Sequence, residues 1–108
     1  MASTFKSSVA KSVGTSANSV YTVPANTTTT VIGWNLCNTT ANPVTVDLYF
    51  TRSSVDYYIL KGTTVPQGGA LVPVGGDQKL VLQSDDVINV VAGADSSIDA
   101  TVSYLEIT

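Results

Sequence analysis

The chain contains no histidine and a single cysteine, Cys37. Without histidine it lacks the commonest general base, the commonest metal ligand and every Ser-His or Cys-His nucleophile. One cysteine closes no intrachain disulfide and builds no thiolate zinc cage. Charge is scarce as well: Asp, Glu, Lys and Arg make up 12% of the residues, about half the roughly 25% of an ordinary soluble domain. Much of the surface is therefore neutral hydroxyl, amide and apolar area, the kind of surface that other protein tends to cover. No stretch of about 18 apolar residues is present to cross a bilayer as a helix, and the opening MASTFKSSVAKSV lacks the apolar core of a signal peptide. The expectation is a protein made and kept in the cytosol, or released from it by lysis, with no membrane partner, no metal and no cofactor.

What is abundant is β-branched and hydroxylic. Valine (16), threonine (15) and isoleucine (5) supply a third of the 108 residues and serine adds 12 more, a composition that favours strands over helices. That length holds one compact domain. The charges are divided along it. Residues 1–46 carry Lys6 and Lys11 and no acid, a net +2, whereas residues 47–108 carry eight acids against Arg52, Lys61 and Lys79, a net −5. An acidic body with one arginine releases few counterions from a phosphate backbone, so nucleic acid is not expected as a direct partner.

Period-two runs separated by turn residues every 8–12 positions or so predict an antiparallel β-sandwich, with a jelly roll as one way to wind it, of about seven to nine short strands. Residues 1–18 read as an N-terminal arm or first strand and residues 19–108 as the sandwich; Phe5, Val9 and Val13 fall on one side of that first segment if it is extended. As an arm it would dock on a neighbouring subunit, and its removal would leave the domain folded. Val20 to Val23 is stopped by Pro24, and Thr27 to Thr30 leads into Val31 to Asn38, where Ile32, Trp34 and Leu36 share a face expected to be core. Val44, Val46, Leu48 and Phe50 alternate with Thr45, Asp47, Tyr49 and Thr51 as a half-buried strand. Val55 to Lys61 returns as a hairpin through Arg52-Ser53-Ser54, and Gly62 breaks the pattern. Ala70 to Val74, between Gly68-Gly69 and Gly75-Gly76 and containing Pro73, suits an edge strand. Leu80 to Gln83, Val87 to Val91 and Ile98 to Ile107 complete the set.

Several patterns invite a chemical reading and do not sustain it. Asp95, Ser97, Asp99, Thr101, Ser103 and Glu106 have the spacing of a calcium-binding loop. However, Ala100 stands where the sharp turn needs glycine, and an extended strand spreads those oxygens over about 20 Å. Asp85 and Asp86 are chain neighbours that point apart on an extended backbone and read as a polar turn. The paired glycines lack the spacing and following helix of a phosphate cradle. The Asn-Thr-Thr tripeptides at Asn26 and Asn38 read as turn and strand chemistry, and Cys37 as a small packed side chain. Trp34 is expected in the core. Tyr49 and one of Tyr57 and Tyr58 are expected outside, where they suit a protein interface or, alternatively, a carbohydrate platform. The candidate interface is Phe5, Lys6, Val9, Lys11, Tyr49, Tyr57 and Tyr58; no catalytic residue is assigned.

The segments VYTVPANTTTTVIGWNLCNTT and YYILKGTTVPQGGALVPVGGDQKLVLQSDDVINVVA and the ending VSYLEI resemble small β-rich virion proteins of tailed bacteriophages. The likeness runs from about Val20 to the C-terminus. It is carried by the Val-Pro-Ala-x-Thr turn, the Asn-Thr-Thr after the tryptophan strand, the Pro-x-Gly-Gly turn and the Leu-x-Leu-x-x-x-Asp-x-Ile-x-Val pairing of two late strands. Where glycine is the expected residue before the aspartate of that last turn, this chain has Asp85. The resemblance implies a non-enzymatic structural component of the particle, a head decoration or cement protein or a piece of the neck or tail. Its partners would be the major capsid protein or another virion protein and further copies of itself.

Overall fold

The computed structural model describes residues 3–74 and 79–108; the expected Gly75-Gly76 turn lies outside them. Nine strands form among the described residues: β1 (Ser3–Val13), β2 (Asn18–Thr22), β3 (Thr28–Asn38), β4 (Val44–Arg52), β5 (Val55–Val65), β6 (Ala70–Val74), β7 (Leu80–Leu82), β8 (Val87–Ala92) and β9 (Ile98–Ile107). They make two antiparallel sheets. The first has the order β1-β9-β3-β6, with β7 also on β3; the second has the order β2-β8-β4-β5. β6 pairs with the Trp34–Cys37 stretch of β3 and β7 with Thr29–Val31, in the same direction, so the two lie end to end along one edge of the sheet. Taken that way, each sheet is four strands wide and the chain winds between them as an eight-stranded jelly roll. The expected antiparallel sandwich is what forms, and Ser3–Val13 is its first strand.

Local chemistry accounts for the joints. Ser53 and Ser54, with φ of 53° and 64°, make the two-residue turn with both centres left-handed that matches the twist of a β4–β5 hairpin. Asp85, at φ 70°, adopts the backbone for which the resemblance expects glycine, as Asp and Asn do more readily than other side-chain-bearing residues. Asn38 is fully buried: its amide donates to the carbonyls of Asn42 and Val65, and its Oδ1 accepts from the Thr40 N–H and hydroxyl. That tripeptide ties a turn to the end of β5.

Alternate residues of both sheets meet in one core built on Trp34, Leu36, Leu48, Leu82, Ile88 and Ile98 with Val13, Val23, Val31, Val46 and Val65. β-bulges decide which residues reach it, because an extra residue swaps the faces of everything beyond it. In β3 the register steps from Val31 opposite Tyr104 to Gly33 opposite Ser103, so Ile32 is the extra residue. Val31 and Trp34 point inward and Ile32 does not join them, contrary to the expected Ile32/Trp34/Leu36 face. In β1 a bulge at Lys11–Ser12, where Ser12 has φ 55°, brings Ala10 and Val13 into the core and leaves Phe5 and Val9 outside. Gly62 does not end β5: with φ 65° it forms a bulge, its N–H donates to Asp47 Oδ1 at 2.7 Å, and the strand runs on to the buried Val65.

Candidate assembly surfaces

The two sheets present different outer faces. On the first, the residues turned away from the core are Ser3, Phe5, Ser7 and Val9 of β1, Thr101, Ser103, Leu105 and Ile107 of β9, and the Thr30, Gly33, Asn35 and Cys37 positions of β3. Val72 of β6 and Val81 of β7 continue this face. Phe5 is 74% and Val9 72% exposed, and Val72 and Val81 are exposed too. Phe5, Leu105, Thr30 and Val81 stand opposite one another in a single row across four strands. Among the described strand positions the charges on this face are one pair at its end, Asp99 and Lys11 at 2.9 Å, with the Ser12 N–H also donating to Asp99. Those two partners hold the Asp99 carboxyl below its ordinary pKa, Ser12 first and Lys11 second.

The outer face of the second sheet is polar and aromatic. Tyr49 and Tyr58 face each other across β4 and β5 with ring centroids 4.9 Å apart, and the Lys61 ammonium lies 4.3 Å from the Tyr58 ring. Thr51 donates to Asp56 at 2.7 Å beside them. Partial burial, followed by the nearby Asp56, raises the pKa of Tyr49. Tyr57 belongs to the other side of β5, where it stacks on Phe50 at 5.3 Å. The sandwich does not cover that end, so Tyr57 and Tyr58 are almost equally exposed, 48% and 47%, and not one in and one out as the alternation suggested.

The candidate interface residues are therefore not one patch. Phe5 and Val9 lie on the first sheet; Tyr49 and Tyr58 lie on the second. Lys11 is paired at the β1 bulge. Lys6 turns between the sheets, where its ammonium meets Glu106 Oε1 at 2.8 Å. Glu106, buried on the inner side of β9, also accepts the Tyr21 hydroxyl at 2.5 Å, and that hydroxyl contacts Thr29 Oγ1. Tyr21 packs on Tyr104, whose hydroxyl is bonded to Ser8. This cluster fills the mouth between the edge strands β1 and β2. Lys6 and Tyr21, in that order, hold the Glu106 carboxyl below its usual range, and Glu106 in turn raises Lys6. Burial and then Glu106 push Tyr21 well above the ordinary phenol value.

A second buried acid escaped the sequence reading. Asp86 accepts a forked pair from Arg52 Nε and Nη2, the shorter at 2.6 Å, together with the Gln83 N–H. Burial pushes its pKa up, but Arg52 and Gln83 outweigh that and leave it lowered. The signal was present only as the turn Ser84-Asp85-Asp86, with no hint that Arg52 lay across it. Of the calcium-spaced residues, Asp95 and Ser97 precede β9, and Asp99, Thr101, Ser103 and Glu106 are strung along it, with Thr101 outward and Glu106 inward. Among the described residues no group of three or more His, Cys, Asp or Glu side chains gathers, and no pocket opens.

The chain is thus a charge-poor jelly roll with one nearly neutral outer face. No family model and no curated protein matches the chain. Among solved structures it is similar to a subunit of the Bacillus endospore appendages, a family of disulfide-linked pili. That likeness has a TM-score of 0.58 and 12% identity over 98% of this chain and 88% of the other. It is also similar to a chain of the cyanophage Pam1 capsid asymmetric unit, with a TM-score of 0.55 and 19% identity over 95% of this chain and 85% of that one. At such identities the likeness is one of fold.

Proposed function

We propose that the chain is a non-enzymatic structural protein of a tailed-bacteriophage virion, a capsid decoration or cement protein that binds the major capsid protein and its own copies. The observation that carries this reading is the outer face of the first sheet, where the row of Phe5, Leu105, Thr30 and Val81 crosses four strands and the exposed Val9 and Val72 lie on the same side, on a surface almost free of charge. An isolated soluble domain rarely leaves such a patch bare. Support also comes from the ordered motifs shared with small phage virion proteins and from a fold held in common with a cyanophage capsid chain. Many modest contacts repeated by particle symmetry add up without one tight site. The carbohydrate reading has less behind it, since Tyr49 and Tyr58 pack on each other and on Lys61.

The test is electron cryomicroscopy of particles from a phage encoding the chain, with mass spectrometry of their proteins. Density for this jelly roll on the capsid exterior is expected, with the Phe5/Val81 face against shell protein, and Val81→Asp should strip it from the shell. Absence from purified particles, or a position confined to the neck or tail, overturns the decoration reading.

A further inference from the structure

Edge strands expose a row of unpaired N–H and C=O groups, and proteins guard them by shortness, proline, bulges or charge. Three edges of this molecule are guarded. β2 has five residues and a register shift. On the β6/β7 edge, β6 has five residues including Pro73 and β7 has three. β5 has two register shifts and exposes Asp56 and Lys61 beside them. β1 is different: from Ser3 to Ala10 it runs in unbroken register on β9, without proline, and its cation in that stretch, Lys6, is engaged by Glu106.

We propose that the free edge of β1 pairs antiparallel with β1 of a second copy about a two-fold axis at Ser7, joining two first sheets into one. This rests on the self-association in the reading above and names the interface. An axis perpendicular to the sheet keeps both neutral faces on the same side. Centred on Ser7, it opposes Ser7 to Ser7, Phe5 to Val9, Lys6 to Ser8 and Thr4 to Ala10. The exposed Phe5 and Val9 then form two aromatic–β-branched cross-strand pairs, a favourable combination, and no like charges stand opposite. Centring one residue earlier opposes the two Lys6 ammonium groups directly. Centring one residue later sets Phe5 against the Lys11–Ser12 bulge and Val9 against Ser7. The register that uses both large apolar side chains is the one that avoids charge repulsion and the bulge.

The experiment is a cross-linking ruler in a Cys37→Ser background with oxidised glutathione as oxidant. Ser7→Cys is expected to give a covalent dimer. Phe5→Cys and Val9→Cys are each expected to give none alone and to give one when mixed. In the native sequence Phe5→Lys should weaken dimerisation by about tenfold or more, since symmetry removes two contacts at once, with an unchanged circular dichroism spectrum as the check on folding. An oligomer that forms without these cross-links and tolerates Phe5→Lys overturns the β1 interface and leaves self-association standing. A monomer at every concentration overturns both and leaves shell binding to be judged on particles. Protection of β1 amides only on adding shell particles assigns the edge to a partner's strand, and the second-copy inference falls.

Discussion

Ser53 and Ser54 both hold left-handed backbone, at φ 53° and 64°, where a serine Cβ is strained and Asn-Gly is at ease. Replacing them together by Ser53→Asn and Ser54→Gly is expected to stabilise the domain by about 1 kcal/mol, read as a raised urea midpoint. Gly62 gives the converse. Its φ is 65° and an added Cβ meets nothing within 4 Å, so Gly62→Ala isolates the backbone cost, about 1 kcal/mol of lost stability. A sequence reader takes that glycine as a stop because a bulge and a turn ask for the same backbone freedom; only the pairing of Thr63 with Val46 beyond it tells them apart. Asp86 was illegible for another reason: its forked partner Arg52 lies 34 positions away. Asp86→Asn keeps the shape but removes the charge from a buried, charge-assisted set of hydrogen bonds, and is expected to cost about 1–3 kcal/mol in chemical denaturation.

At the scale of elements, β4 stood out in the sequence because it alternates on the side that faces the core, as the burial of Val44, Val46 and Leu48 records, and β9 proves to do the same with Ile98, Ala100, Val102 and Tyr104. β1 and β3 were harder, since one inserted residue in each moves the inward set by a place: period-two counting puts Ile32 in the core in error and leaves Val13 on the same side as the exposed Phe5 and Val9. The same bulge makes β1 part of the domain. It sends Ala10 and Val13 into the core, pairs with β9 from Ser3 to Val13, and supplies Lys6 to the buried Glu106. Deleting residues 1–13 is therefore expected to do more than weaken attachment. It uncovers Tyr104 and Glu106 and leaves the long β9 as a bare edge, a template for aggregation. The measurement is soluble yield and cooperative thermal unfolding, with a well-behaved, cooperatively folding truncation as the contrary result. The candidate site was legible in part for the same reason: Phe5 and Val9 were chosen as apolar residues on a segment expected to dock, but which face they share depends on a bulge with no local signature.

For the whole molecule, the placement of charge predicts how stability and association respond to pH in different ways. Glu106, Asp86 and Asp99 have lowered pKa values in the folded chain. The unfolded chain therefore binds more protons at acid pH, and the stability these groups contribute is present above the ordinary carboxylate values, about 4, and is lost as pH falls through the lower folded ones. Tyr21 and Lys6 are raised; their contribution is present below the ordinary values, about 10, and is lost as pH climbs through the folded ones. The expected profile is a plateau across neutrality with both limbs set largely by one cluster. Glu106→Gln, which retains an acceptor for Tyr21 while releasing Lys6, should flatten both limbs in denaturant titrations, and an unchanged acid limb would assign that limb elsewhere. The face proposed for assembly holds no such cluster. Its Asp99 is already paired with Lys11, and the row from Phe5 to Val81 has nothing to titrate or to screen. Association through that face and the β1 edge should accordingly keep its affinity from mildly acidic to mildly alkaline pH and from low to high salt. Contacts made by the charged outer face of the second sheet would instead weaken with salt as its unlike charges are screened. Sedimentation equilibrium across both variables separates the two, and a strong salt dependence would place the interface on the Tyr49/Tyr58 side.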